Sequence, residues 1–356
     1  MLPRMVRNRM LEHMSTKTMR KQFQAVTRRN AAGIAARVLE QAEEDFFING
    51  TITCHAACPQ HMAGMWSGGR ETTLVGDRLP AWLKKAMGAA LSRQNQCPYC
   101  VDMLVALTFG AEQPDVASSI QRGRFGGVQS DSARAIIEWA EAAVNADDPR
   151  LEASPFGPDE LPEAIGTLLV FSYTNKITDL TIHGSPVAKG LKGLMLRILG
   201  TQLAESARRV LEPGRSLALL PSAPVPPDLY WAAANPRVAD ALARWIGVVD
   251  DAVDDELPAS LRHWLQDRID AWRGGQAPLS RAWVDDEVAS LAGADRDKAR
   301  LALLVVRAAY QIDDGIIDSV LAHGVDAAGV VKLGSWAALS AARRVATWTA
   351  DAVSAR

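Results

Sequence analysis

Apolar residues recur at helical spacing along most of the chain, whereas the alternation that is typical of strands is scarce. One stripe consists of Val101, Leu104, Val105 and Thr108, which stand at positions i, i+3, i+4 and i+7. This spacing places the four side chains on one face of a helix that packs against a core. The sequence, which is also rich in alanine, therefore predicts an all-α fold.

Start and stop signals divide the pattern into separate helices. Pro59 and Pro80 are expected near helix starts, and Gly50 and Gly110 near helix ends. The predicted helices cover residues 31–49, 59–66, 80–95, 97–109, 131–144, 162–183 and 191–211.

Composition shifts predict four parts of the chain. Residues 1–29 form a basic leader in which Glu12 is the sole acidic residue. Such a leader is either an amphipathic arm that contacts a membrane surface or a partner, or a frayed or partly helical terminus. We expect a first helical domain at 30–185, a Pro- and Gly-rich connector with one helix at 186–230, and a second lobe at 231–356.

Two weak matches predict that the second lobe is a degenerate copy of the first. Residues 79–84 match 257–262, and 168–179 match 303–314 with the same internal spacing. If the match of 79–84 with 257–262 is extended along the chain, Gly275 aligns with Cys97 and Pro278 aligns with Cys100. The second lobe is therefore expected to lack the cysteine pair of the first.

Overall composition narrows the class of protein. The formal net charge of the 356-residue chain is −2, which gives no reason to expect a nucleic-acid partner. No apolar run approaches the roughly 20 residues of a membrane span. Four cysteines in this length are too few for a disulfide scaffold. We therefore expect a cytoplasmic protein without a transmembrane segment.

The strongest chemical signal is the pair Cys97 and Cys100, which are separated by Pro98 and Tyr99. Pro98 suits the first turn of a helix, where the partial positive charge of the helix start favours a thiolate. Two sulfurs at this spacing can form and break a disulfide. A zinc half-site and a purely structural pair are the alternatives.

The other two cysteines, Cys54 and Cys58, lie close in sequence to His55 and His61. We expect partly buried free thiols here, since free cysteine often behaves as a small apolar residue. The alternatives are a bond between the two cysteines or a metal site that includes His61.

The run from Trp82 to Asp102 resembles the core motif of the carboxymuconolactone decarboxylase and alkylhydroperoxidase D superfamily. The resemblance implies an all-helical bundle, a homo-oligomer, and a thiol peroxidase or disulfide reductase that needs no metal or flavin of its own. It also implies that Cys100 attacks a peroxide or disulfide substrate, that Cys97 resolves the product, and that an external dithiol restores both thiols.

The chain departs from this family pattern at two positions. The family has a Glu twelve residues before the first Cys and a His four after the second, where this chain has Lys85 and Leu104. Lys85 could stabilise a thiolate by its charge. Residues that could assist in other ways are His61 and His55 as replacement bases, Asp102 beside the pair, and Asn175, which with Lys176 matches an Asn-Arg pair of the family.

Two other functions stay open. The superfamily also includes lactone decarboxylases that act on small carboxylic acids without the thiol pair, and the retention of Cys97 and Cys100 argues against that branch. The loss of the Glu and His keeps open a helical scaffold whose assembly depends on the disulfide state.

Overall fold

The computed structural model describes residues 4–185, 187 and 190–354. Sixteen α-helices of this part of the chain carry the fold, and it contains no β-strand. The first eight helices are α1 Arg4–Thr18, α2 Gly33–Asp45, α3 Gly50–Thr53, α4 Pro59–Gly69, α5 Ala81–Gln94, α6 Pro98–Gly110, α7 Pro114–Arg122 and α8 Asp131–Ala142. The others are α9 Leu161–Thr181, α10 Lys192–Arg208, α11 Pro236–Ala252, α12 Ala259–Ala271, α13 Ala282–Glu287, α14 Gly293–Ala308, α15 Asp314–Leu321 and α16 Ala327–Ser354. The all-α prediction is confirmed.

One predicted helix ends earlier than the pattern indicated. The helix expected over 31–49 ends at Asp45, and a new short helix, α3, begins at Gly50. The start of α3 is set by Asn49, whose side chain accepts hydrogen bonds from the backbone N–H groups of Thr51 and Ile52. This is the role of an N-cap, so Gly50 starts a helix instead of ending one.

The long helix α9 lies at the centre of the molecule. Nearly all of its residues are buried, and it packs against α16 and α5. A helix that is buried on every side must be covered by other helices of the same core. Here the last helix of the chain covers one side of α9 and the helix that precedes the cysteine pair covers another.

The cysteine helix α6 is held by a close crossing with α10. A Cβ atom on Gly200 would lie 2.6 Å from the carbonyl oxygen of Ala106, and one on Gly110 would lie 2.7 Å from that of Gly200. Only glycine allows two backbones to approach this closely. The crossing fixes α6 against a helix of the predicted connector.

The basic leader is folded onto the body over its described residues. Arg7 is buried and its guanidinium lies 2.9 Å from the carboxylate of Glu205. Arg20 is buried as well and makes a 2.9 Å ion pair with Asp314. The leader is thus partly helical, with α1 at Arg4–Thr18, and it contributes buried side chains to the body of the protein.

The four-part division of the chain and the duplication stay predictions. Residues 79–84 and 257–262 each lead into a helix, α5 and α12. In contrast, 168–179 lies within α9, whereas 303–314 leaves α14 after Ala308 and passes through a short 3-10 turn. Pro186, the first residue of the predicted connector, and residues 355–356 lie outside the described residues. Within the described residues, no helix is both long and apolar enough to cross a lipid bilayer.

Candidate active site

The two cysteines lie side by side at the start of α6. Cys97 is the residue before the helix, Pro98 is its first residue, and the backbone N–H of Cys97 donates to the carbonyl oxygen of Ser92. Gln96 adopts the left-handed φ of 57°, which turns the chain from α5 into α6. The Cys97 thiol donates to Cys100 Sγ over 2.8 Å. The structure thus brings together the two thiols that the sequence singled out, in the first turn of a helix.

Both cysteines of the pair are buried. Cys97 is 0% exposed, and Cys100 is 3% exposed. Burial, the hydrogen bond to Cys100 and the negative charge of Asp179 raise the pKa of Cys97 well above its ordinary value. Cys97 is therefore held in the protonated form until another group removes its proton.

An apolar cavity of about 90 Å³ opens onto Cys100. Its wall includes aromatic and aliphatic side chains from four helices and the segments that join them, among them Phe47, Trp66, Leu104 and Phe171. A space of this kind excludes water and binds apolar groups. Cys100 is the cysteine of the pair that faces it.

Lys85 and Leu104, the two residues that differ from the family pattern, both line this cavity together with Cys100. Burial, together with the positive charge of Lys84, lowers the pKa of Lys85 to about 7. Arg70 also lines the cavity, but its guanidinium is paired with Asp45 and Glu71. Lys85 Nζ donates to the Ala207 carbonyl oxygen over 3.3 Å and, among the described residues, makes no ion pair. Lys85 is therefore the lining cation whose charge no carboxylate neutralises.

We expect Lys85→Met to slow the alkylation of Cys100 by iodoacetamide about tenfold below pH 7, because the thiolate loses a nearby positive charge. The lysine is charged below its pKa of about 7 and neutral above it, so the effect should fade as the pH rises through 7. Peptide mapping by mass spectrometry measures the rate at Cys100. Lys298→Met, which changes a lysine outside the cavity, is the control. Equal rates for Lys85→Met and wild type at pH 6 would show that Lys85 does not act on this thiol.

Tyr99, between the two cysteines, anchors the first turn of α6. Its hydroxyl accepts a hydrogen bond of 3.0 Å from the backbone N–H of Gly50. A Cβ atom on Gly50 would lie 2.9 Å from that oxygen, so the contact requires glycine. This hydrogen bond holds the start of α3 against the first turn of α6.

Asn175 joins α9 to the segment just before Cys97. Its Nδ2 donates to Ser92 Oγ over 2.8 Å, and its Oδ1 accepts from Asn95 over 2.9 Å. Lys176 Nζ, the next residue, donates to the carbonyl oxygen of Val306 over 2.9 Å. The predicted contacts of this pair across the helix bundle are present, and Asn175 positions the cysteine turn instead of facing the cavity.

Asp102 and His61, two further candidates from the sequence, lie away from the apolar cavity. Asp102 is buried and makes a 2.8 Å ion pair with Lys192. His61 is 1% exposed, and burial lowers its pKa to about 3, so it is neutral at physiological pH. Neither residue lines the cavity at Cys100.

His55 belongs to a separate buried network. Its Nε2 lies 2.6 Å from the hydroxyl of Tyr173, and its Nδ1 lies 3.3 Å from Cys54 Sγ. Burial lowers the pKa of His55 to about 4. The Tyr173 hydroxyl in turn donates to Ser335 Oγ on α16, so the network connects α9 to the last helix.

Cys54 and Cys58 are buried free thiols, as predicted, and they do not pair with each other. The Cys58 thiol donates to the carbonyl oxygen of Ala328 over 3.3 Å. In residues 4–185, 187 and 190–354, no three His, Cys, Asp or Glu side chains are grouped so that they could hold a metal ion.

One residue near the pair was not singled out from the sequence. Asp179 lies one helical turn after Asn175 on α9, and its negative charge raises the pKa of Cys97. Its spacing of four residues from Asn175 places both side chains on the same face of the helix. That spacing is the signal that could have identified Asp179.

Comparison with known proteins gives one informative relative. The chain is 31% identical over 336 residues to a protein named alkyl hydroperoxide reductase Rv2159c, from Mycobacterium tuberculosis. The match covers 92% of this chain and 94% of the relative. No protein-family model matches the chain, and no solved structure gives a significant match.

Proposed function

The chain belongs to the alkylhydroperoxidase-like family of that relative, and from this premise we propose that it is a thiol-dependent peroxidase for organic hydroperoxides. The observation that supports the proposal most directly is the 2.8 Å approach of Cys97 and Cys100 beside an apolar cavity. The relative's name supports a peroxidase-like activity, and the cavity favours an alkyl peroxide over a fully polar substrate.

The proposed cycle uses both sulfurs. The Cys100 thiolate attacks the terminal oxygen of ROOH, an S–O bond forms, the O–O bond breaks, and the alkoxide takes up a proton and leaves as ROH. Cys100 is oxidised to a sulfenic acid as the peroxide is reduced. Cys97 then attacks Cys100 Sγ, which forms the disulfide and releases water.

An external dithiol completes the cycle. It is oxidised to its own disulfide and returns two protons and two electrons to Cys97 and Cys100. Both sulfurs are nearly inaccessible in the reduced structure, which favours a small dithiol, or a dithiol arm that can enter the bundle, over a rigid partner.

The cytoplasmic location and the homo-oligomeric state are further parts of the proposal. An apolar surface on α10, formed by Leu194, Met195 and Ile198 with Leu191 just before the helix, is exposed and supports contact between subunits.

A peroxide-consumption assay tests the proposal. With dithiothreitol as reductant, we expect wild-type protein to reduce cumene hydroperoxide, and to reduce it faster than hydrogen peroxide because the aromatic group binds in the cavity. The assay follows the loss of each peroxide, with protein alkylated beforehand at its cysteines as the control. No consumption of either peroxide would reject the proposal. A reductant-dependent change of oligomeric size without consumption would favour the redox-sensitive scaffold, and turnover of a small lactone acid by the alkylated protein would favour the decarboxylase.

A further inference from the structure

Lys85 is a buried cation in the wall of the apolar cavity. Its side chain lines the cavity, the residue is 2% exposed, and its Nζ donates to the carbonyl oxygen of Ala207 on α10 over 3.3 Å. An ammonium group has three N–H donors, so this neutral acceptor leaves part of the hydrogen-bonding capacity unused. Because Lys85 makes no ion pair within the described part of the chain, its charge is also unmatched.

Other polar side chains of the wall are already bound to neighbouring groups. Arg70 is ion-paired on two sides. The hydroxyls of Thr73 and Thr174 each donate to the backbone oxygen four residues earlier. The side chain of Asn49 caps α3. Lys85 differs from these neighbours because it carries a charge that a ligand in the cavity could neutralise.

A ligand that supplies a carboxylate would remove this imbalance. A buried charge without a partner is costly, and burial together with the positive charge of Lys84 lowers the pKa of Lys85 to about 7. A carboxylate in the cavity would lie in a space that holds little water, where its hydrogen bond with an ammonium group is strong. The apolar side chains of the same wall would bind a hydrocarbon chain attached to that carboxylate.

We propose that the cavity binds carboxylates that carry an apolar chain, and that the substrates of the enzyme are hydroperoxides of this class, an inference that rests on the proposed peroxidase function. The carboxylate pairs with Lys85, the chain packs on the apolar wall, and the hydroperoxide group is left for Cys100, which lines the same cavity. The family pattern has a glutamate at the position of Lys85, and its negative charge would repel such a substrate.

Binding without turnover tests the site by itself. At pH 6, where Lys85 is charged, we expect wild-type protein to bind hexanoate at least about tenfold more tightly than hexanamide, because a hydrogen bond between charged groups is stronger than a neutral one. Isothermal titration calorimetry measures both dissociation constants. Lys85→Met should lose the preference, and Lys85→Arg, which keeps the charge, should retain part of it. Lys298→Met, outside the cavity, is the control.

A matched pair of peroxides tests the substrate class. The hydroperoxide of isohexanoic acid, with its peroxide group on the tertiary carbon, and its methyl ester share the reacting group and differ in the carboxylate. With dithiothreitol as reductant at pH 6, we expect wild type to show a kcat/KM at least about tenfold higher for the acid than for the ester. In Lys85→Met this ratio should fall close to one. An effect of Lys85 on the Cys100 thiolate would change both rates alike and leave the ratio as it is.

The outcomes separate the site from the proposed function. Equal binding of hexanoate and hexanamide by wild type would overturn the carboxylate site, and a preference that survives in Lys85→Met would overturn the role of Lys85. If hexanoate binds as expected but neither hydroperoxide is consumed, the proposed peroxidase function fails and the carboxylate site stands. Lys85→Met should unfold at a temperature no lower than wild type, since it strands no partner of opposite charge, so a lost preference reflects the site and not the fold.

Discussion

Cys100→Ser is expected to reduce peroxide consumption at least about 1,000-fold, because among the described residues Cys100 alone supplies a thiol that lines the apolar cavity. Cys97 is fully buried beside it, has a raised pKa and does not line the cavity. The measurement is the multiple-turnover assay with cumene hydroperoxide and dithiothreitol.

Two further cysteine variants separate the roles in this experiment. Cys97→Ser should reduce one equivalent of peroxide and then stop, with a sulfenic acid on Cys100 that dimedone traps. Cys58→Ser should keep wild-type turnover, since its hydroxyl can still donate to the Ala328 carbonyl oxygen. Full turnover by Cys100→Ser would mean that Cys97, Cys54 or an unrelated mechanism performs the chemistry.

Glu163→Gln is expected to lower the free energy of unfolding by about 3–5 kcal/mol, because it breaks a fully buried ion pair and leaves a charge behind. Lys84 and Glu163 are both 0% exposed, and Lys84 Nζ lies 2.7 Å from Glu163 Oε2. The same carboxylate accepts hydrogen bonds from the backbone N–H groups of Arg78 and Leu79. Its loss therefore loosens the start of α5, the helix that leads to the cysteines.

Urea denaturation measures this loss, and two comparisons define its cause. Asp267→Asn removes one partner of the exposed contact between Asp267 and His263, and it should leave the midpoint unchanged. The double variant Lys84→Met with Glu163→Leu removes both buried charges and should recover much of the stability. A midpoint for Glu163→Gln equal to that of Asp267→Asn would show that the buried pair contributes little.

The helices that form the site could be predicted because their signals are local. Pro98 at the first turn and the stripe from Val101 to Thr108 specify α6 without any knowledge of its neighbours. Lys85 and Leu104 could likewise be recognised as departures from a motif, although their meeting in one cavity required the packing of α5 against α6.

What could not be predicted depends on contacts between distant parts of the chain. Asp179 has no local mark of function, and its charge acts on Cys97 only because α9 passes the start of α6. The small polar cavity that Asp179 lines is closed by Arg307 and Tyr310, more than 120 residues further on. Asn49 shows a milder form of the same limit, since a single side-chain cap outweighed the helical pattern around it.

The covering of α9 by α16 has a consequence for the order of biosynthesis. When α9 leaves the ribosome, the cysteine helix α6 has already been made. The helix α16, which covers the other side of α9, begins only at Ala327. Until that last segment is translated, the nascent chain carries two adjacent thiols in an unfinished core. We therefore expect the pair to be more open to oxidation in this incomplete chain than in the finished fold.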